Sequence, residues 1–516
     1  MLTEESAAGA GPTEARRRWL HALLAPIGPL PGTVVVAGVA FGLALRVAIL
    51  HSTVGALDSD EAIVGLMARQ FASGHYNAFY WGQAYGGTIE VALAAIGFKL
   101  FGASAVVLKT VPMLLSAVAA ILVWRVGRRV TGPGPAALAG LLVWIWPANY
   151  LWWSIKARGF YEATLCLGLA VLLISLRIGQ HARRLPWLDW VGLGLVAGLG
   201  WWQSPQIAYF LLPAAVWLLW TVRAAAWRAI VAIPPAAIGA APWLVANLAS
   251  NFASLSPPPS PVKGGYLDHL SVLVREGLPM TFGLKVIYTS RWVPPVDAMA
   301  AAYVVIVAVV VAGCAKRWPG GWLVVAMLAA FPFLHALLSL ASTVAEGRYT
   351  LFVLPALALA LAHRADRRLS AVVLTGSCVA ITVAGALALH GNTSPYFSGR
   401  RVPASFTSLE RALEAHGTTA VWSNYWVAYR LTFETDGRVL AAPVTNGRDP
   451  ALTSLVRAAI PAAGHVFLTG TREDMAFRRG LIARHIHFAS YTVADEWTVY
   501  LPTTPVGPTA IARAEP

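Results

Sequence analysis

Charge is scarce in this chain. Asp, Glu, Lys and Arg make up only 12% of its 516 residues, against roughly 25% in soluble domains, which excludes an ordinary water-exposed globular surface. Acid is the scarcer sign: 24 Asp and Glu stand against 39 Lys and Arg, a formal net charge of +15. The basic residues do not gather into one patch, so the excess does not point to a nucleic-acid partner. Cysteine is scarcer still. Cys166, Cys314 and Cys378 lie far apart inside apolar runs, which argues against both a disulfide framework and a zinc pattern and leaves them as small core hydrophobes.

Apolar length is what the chain has in abundance, with 57% hydrophobic residues and a mean hydropathy of +0.62. Runs near the ~20 residues that cross a bilayer recur as far as residue 390 and then stop. The expected fold is a polytopic α-helical membrane protein with about eleven spans. They fall near 32–52, 104–124, 134–152, 160–176, 187–202, 205–222, 229–248, 298–315, 321–341, 349–363 and 369–389. Residues 1–31 are too long and too acidic before the first apolar run for a cleavable signal. They read as a cytoplasmic tail, ahead of a membrane module at 32–390 and a small soluble α/β domain at 391–516.

Arginine and lysine set the expected orientation. With Arg16, Arg17 and Arg18 before the first span, alternate loops should be cytoplasmic and basic. RVGRR (125–129), RIGQHARR (177–184), RAAAWR (223–228), KR (316–317) and RADRR (364–368) all are. The other loops, 53–103, 153–159, 203–204, 249–297 and 342–348, then face outward, together with everything after 390. In the first of them, DEAIVGLMARQFASG has acids at its start and glycine at its end, as a short helix does. A second helix is expected from about Thr88 to Phe101. The loop at 249–297 opens on the Pro- and Gly-rich SLSPPPSPVKGGY, and suits a mobile cover or a plain connector equally. After 390, TAVWSN, RVLAAP, HVFLTG and WTVYLP read as strands, and FTSLERALEAHG and REDMAFRRGLIARH as helices. No P-loop, GxGxxG or catalytic constellation stands out there.

Against this background the acidic LDSDEAIVG (57–65) is unusual. Asp58, Asp60 and Glu61 would sit at the outer surface, just beyond the first span. Asp58 or Asp60 suits a helix N-cap. One carboxylate equally suits a general base whose neighbour tunes it, and an Asp-x-Asp spacing also suits a divalent cation on a sugar phosphate. Cations on the same side are few: Lys156 and Arg158 in SIKARGFYE, and Arg348, followed by Tyr349, in AEGRYTLFVLP. They fit a phosphate headgroup or interfacial snorkelling. Arg46, near the outer end of the first span, has the same two readings. Within HYNAFYWGQAYGG and the helix after it, Tyr80, Gln83, Tyr85 and Glu90 have the ring faces, amide and carboxylate that a sugar cleft uses. The default for the aromatics is an interfacial belt.

Taken together, LDSDEAIVGLMARQFASGHYNAFYWGQAYGGTIE, KARGFYE, GRYTLFVLP and VWSNYWVAYRLTFETDGRVLAAP resemble the bacterial branch of the C-type integral-membrane glycosyltransferases. These are related to the dolichyl-phosphate-mannose protein mannosyltransferases and the lipid A aminoarabinose transferase. The resemblance implies a polyprenyl-phosphate sugar donor, an envelope glycan, lipid or protein as acceptor, and transfer with inversion at the outer face of a bacterial inner membrane. It implies Asp60 as the base with Glu61 its neighbour, Asp58 outside that pair, and Lys156, Arg158 and Arg348 on the lipid phosphate. It implies no required cofactor, although a divalent cation stays compatible with the acidic spacing. Two rivals stand beside this reading: a transporter or flippase of polyprenyl-linked saccharide, and a non-enzymatic scaffold. The first predicts charges deep in several spans, or symmetry-related repeats. Apart from Arg46 and Lys109 few such charges are present, and no clear repeat.

Overall fold

The computed structural model describes residues 23–180, 187–256, 264–318, 320–338, 347–390, 396–459 and 463–507. Arg16 to Arg18, the proline-rich stretch at 257–263, the basic residues at 181–184 and most of the expected loop at 342–348 lie outside them.

The membrane module is helical because its apolar side chains leave the backbone no other partner in lipid than itself. Its first elements are α1 (Gly32–Leu50), α2 (Ser59–Ala72), α3 (Ile89–Phe101), α4 (Ala105–Val130), α5 (Pro133–Ile145), α6 (Ala148–Trp153), α7 (Tyr161–Gln180) and α8 (Trp187–Gln203). Then come α9 (Ala208–Val222), α10 (Val296–Ala315), α11 (Trp322–Ala336), α12 (Leu354–Arg364) and α13 (Arg368–Leu389).

Among the described residues, six helices are long and apolar enough to span: Gly32–Leu50, Ala105–Val130, Tyr161–Gln180, Pro205–Val222, Val296–Ala315 and Arg368–Leu389. A seventh is possible if Ala226–Gly239 and Ala241–Ala249, bent by 58°, act as one. Each of the eleven expected runs coincides with helix, but several are shorter than a span. α5 has 13 residues, roughly 20 Å at 1.5 Å per residue, because Pro147 follows its end and α6 restarts the chain. α11 and α12 have 15 and 11 residues.

The two ends of the bundle differ. Connections between spans meet at one end, where Arg129 donates to Gln180 at 2.7 Å, Arg177 pairs with Asp189 at 2.8 Å and Lys316 with Asp366 at 2.7 Å. At the other end lie α2, α3, the turn at 154–160 and residues 347–350.

Above that second end, residues 396–507 form α14 (Thr407–Ala415), β1 (Ala420–Ser423), α15 (Tyr425–Glu434), β2 (Leu440–Pro443) and α16 (Pro450–Ala458). β3 (Gly464–Leu468), α17 (Arg472–Ala483), β4 (Phe488–Val493) and β5 (Trp497–Pro502) complete them. The sheet order is β2-β1-β3-β5-β4, with β1 parallel to β2 and β3, and β5 antiparallel to β3 and β4. β1 and β3 are buried along their whole length, as strands covered on both faces are. One apolar cluster joins Ala62, Ile63 and Met67 of α2 and Val91 of α3 to Trp422, Tyr429, Phe433 and Val456. The first loop is thus sandwiched between bundle and sheet. Gly65 makes a close contact with the sheet region, since a Cβ there would lie 2.4 Å from Cε2 of Phe433.

Candidate active site

Asp58, expected as a cap, is one. It precedes α2 in extended conformation, its Oδ1 accepts from the Glu61 N–H at 3.1 Å, and Glu61 Oε2 accepts in return from the Asp58 N–H at 3.2 Å. This capping box orients both side chains toward the turn between α6 and α7. Gly159, at φ +105°, lets that turn run tight under the ring of Tyr80. The turn supplies Lys156 and Arg158.

The outcome is a buried network of five charges. Arg158 Nη2 donates to Asp58 Oδ2 at 2.5 Å and Lys156 Nζ to the same oxygen at 3.3 Å. Lys156 also donates to Glu61 Oε2 at 2.8 Å and to the Ala56 carbonyl at 2.7 Å. Glu61 Oε1 accepts from the Ala157 N–H at 3.1 Å and from Lys109, which reaches it from α4. Burial would raise the Asp58 carboxyl, but Arg158 and Lys156 hold it well below the usual carboxylate range. Among the described residues three cations meet two anions here, with indole faces beside them: Arg158 lies 5.6 Å from the Trp152 ring and 5.3 Å from that of Trp153.

Asp60 stands apart from this network. It is half-buried in the first turn of α2, on the side facing residues 396–507. Tyr80 donates to its carbonyl at 2.8 Å, and Tyr425, at the start of α15, donates to its Oδ1 at 2.5 Å. Burial, with Asp60 alongside, pushes both phenols well above their usual range. Among the described residues no hydrogen bond is made to Asp60 Oδ2. Of the three acids, Asp60 alone keeps an oxygen for an incoming group, while Asp58 and Glu61 are occupied by cations and amides.

The other expected residues divide into near and far. Tyr85 is half-buried, edge-on to Phe160 with centroids 6.1 Å apart. Burial raises its phenol, which also feels Tyr349, Arg348, Arg448 and Asp60. Arg348 lies 5.0 Å from the Tyr349 ring and 5.9 Å from that of Tyr161. Gln83 accompanies them in the same loop, half-buried. Glu90 is 2% exposed at the start of α3. Burial, with Glu162 nearby, pushes its carboxyl well above the usual range, against a hydrogen bond from Gly159. Arg46 is not brought to this group. It is wholly buried against α5, 3.8 Å from the Trp144 ring, donating to Ser154 at 2.8 Å and to the carbonyls of Trp144 and Gly42 at 2.8 and 3.1 Å. The bond to Trp144 ties α1 to α5.

Three further residues belong to the site, none of them expected there from the sequence. Lys109 was visible as a lone lysine in an apolar run, which needs a buried acid as partner. Arg448 crosses Gly82: a Cβ there would lie 2.7 Å from Arg448 Cδ, and Gly82 has φ +65°. Tyr425 carried no signal linking it to a residue 365 positions away. Of the Asp-x-Asp pair, Asp58 gives Oδ2 to Lys156 and Arg158 and Oδ1 to its own cap. Among the described residues no group of three or more His, Cys, Asp or Glu is placed to hold a metal ion.

The chain resembles known proteins in part of its sequence and in its fold. Residues 90–246 match the family model described as dolichyl-phosphate-mannose-protein mannosyltransferase. No curated protein matches the chain. ArnT from Cupriavidus metallidurans in the apo state superposes with a TM-score of 0.62 at 14% identity, over 91% of this chain and 97% of that one. The same protein bound to undecaprenyl phosphate gives 0.60 at 14% identity, over 91% and 98%. The Archaeoglobus fulgidus oligosaccharyltransferase, in complex with Zn and sulfate, gives 0.51 at 14% identity, over 89% and 72%. This multi-pass membrane protein therefore has the fold of the C-type integral-membrane glycosyltransferases, with a match to the protein mannosyltransferase family at residues 90–246.

Proposed function

We propose that the chain is a membrane glycosyltransferase that moves a sugar from a polyprenyl-phosphate donor to an envelope lipid, polysaccharide or protein, with Asp60 as general base. The observation that carries this reading is the division of labour among the acids: Asp58 and Glu61 are neutralised by Lys109, Lys156 and Arg158, and Asp60 keeps an open oxygen. The likeness to a protein solved with undecaprenyl phosphate supports the donor class.

In the proposed reaction the acceptor hydroxyl gives its proton to Asp60 Oδ2. Its oxygen bonds the anomeric carbon from the side opposite the phosphate, the bond from that carbon to phosphate oxygen breaks, and polyprenyl phosphate leaves. One displacement inverts the anomeric centre, and no protein nucleophile is needed. The cations Arg348, Lys156 and Arg158 favour the charge gathering on the leaving group, an effect worth several kcal/mol when it is stronger in the transition state. Tyr80, Gln83 and Tyr85 line the loop beside Asp60, where the sugar would lie. The orientation follows the basic loops: N-terminus in the cytoplasm of a bacterial cell, with Asp60 and residues 391–516 outside its inner membrane.

Reconstitution with a polyprenyl-phosphate sugar and a membrane acceptor fraction tests the proposal. Asp60→Asn should reduce transfer by at least ~100-fold, within the range of general-base contributions. Near wild-type transfer by Asp60→Asn would sink the assignment. A flippase would leave the sugar on its lipid, so acceptor-dependent release of polyprenyl phosphate separates the two activities.

A further inference from the structure

The same carboxylate has a second partner whose role the reaction scheme does not use. Tyr425 comes from the region after the membrane module, yet its phenol donates to Asp60 Oδ1 at 2.5 Å. How it arrives there is built into the fold. Asn424 ends β1 and caps α15, its side chain accepting from the Trp426 N–H at 2.9 Å, which places Tyr425 in the first turn of that helix. α15 lies against α2 along its length. Tyr425 meets Asp60, Phe433 covers Gly65, Arg69 donates to the Phe433 carbonyl at 3.0 Å, and Arg69 pairs with Asp436 at 2.9 Å. Residue numbers rise together in these contacts, so the helices run parallel and bring both N-termini to one point.

An aspartate needs such help, because rotation of its carboxyl about the last side-chain bond is broad and nearly unhindered. Tyr80 holds only the backbone of Asp60, and Asp60 lies outside the ion network. Tyr425 is the hydrogen-bond partner of the carboxylate itself among the described residues. With Oδ1 held, Oδ2 keeps a fixed direction toward the acceptor.

We propose that Tyr425 is a positioning residue for transfer: it fixes the Asp60 carboxylate so that Oδ2 faces the acceptor hydroxyl, making α15 an obligatory part of the active site. The proposal rests on the reading of Asp60 as the base. Misaligned reacting groups lose up to about 100-fold in rate. Tyr425→Phe, which removes one hydroxyl and keeps the ring, should lower kcat on the order of 10-fold. The KM for the polyprenyl-phosphate sugar and the thermal unfolding midpoint should stay at wild-type values.

Arg69→Ala serves as the control, because it loosens the α2–α15 contact without touching the carboxylate. Its kcat should fall less than that of Tyr425→Phe, because Arg69 stands roughly 13 Å along α2 from Asp60 at 1.5 Å per residue. All variants are assayed as full-length protein in liposomes, beside Asp60→Asn. Three results would overturn the proposal: an unchanged kcat for Tyr425→Phe, a fall accompanied by a matching rise in donor KM and loss of thermal stability, or an equal fall for Arg69→Ala. An active Asp60→Asn would instead overturn the reading beneath it, so the two failures are distinguishable.

Discussion

Replacing Lys109 by methionine tests the buried network directly. Lys109 is 3% exposed, Glu61 is wholly buried, and the two are bonded. Removing one partner of a buried ion pair commonly costs about 3–5 kcal/mol, because the other charge stays buried without compensation. Here Glu61 would keep Lys156 at 2.8 Å and the N–H groups of Ala157 and Asp58 at 3.1 and 3.2 Å. The expected loss for Lys109→Met is therefore smaller, about 2–3 kcal/mol. Glu61→Gln should cost a similar amount, since it leaves Lys109 and Lys156 facing each other. The double variant removes both charges, so it should be less destabilised than the sum of the two, with a coupling of about 2 kcal/mol. Denaturant unfolding of the four proteins in one detergent gives the cycle. Additivity within about 0.5 kcal/mol would refute the ion pair as the tie between α2 and α4.

Two other perturbations probe the same region. Gly65→Val should destabilise by about 1–3 kcal/mol and weaken transfer, because its side chain would occupy the space of Phe433. That ring cannot move aside easily, stacked as it is on Phe98 at 6.2 Å and under Arg69 at 4.4 Å; thermal unfolding and transfer measured together check this. Glu90→Gln should raise stability more at pH 8 than at pH 5. Burial raises the folded carboxyl, so the native state prefers it neutral. That contribution is complete below the unfolded value of about 4.3 and is lost as pH rises through the folded value. A midpoint shift of equal size at both pH values would contradict it.

Local features of the site were legible because short-range chemistry makes them. The helix expected at DEAIVGLMARQFASG is Ser59–Ala72 and the one expected near Thr88 to Phe101 is Ile89–Phe101, since caps, first-turn acids and terminal glycines act over a few residues. The four strands expected after 390 form as read, and β4, exposed at the sheet edge, was missed because its alternation is weak. The inward turn of Arg46 was not legible, because hydropathy reports depth and not the side of the helix. The indole and carbonyl of Trp144 and the hydroxyls of Ser154 and Ser116 receive it on the inward side.

By itself the sequence determined that the chain is a helical membrane protein, that its acids cluster after the first span, and that its cations alternate by loop. These follow from transfer free energy and charge, which each residue carries wherever it lies. Only the tertiary structure decided which acid is available. Lys109, Lys156 and Arg158 converge on Asp58 and Glu61 from two other segments, and Tyr425 arrives from beyond the membrane module. Whether a carboxylate is neutralised or open depends on neighbours within a few ångströms, and those neighbours stand 48 to 365 positions away.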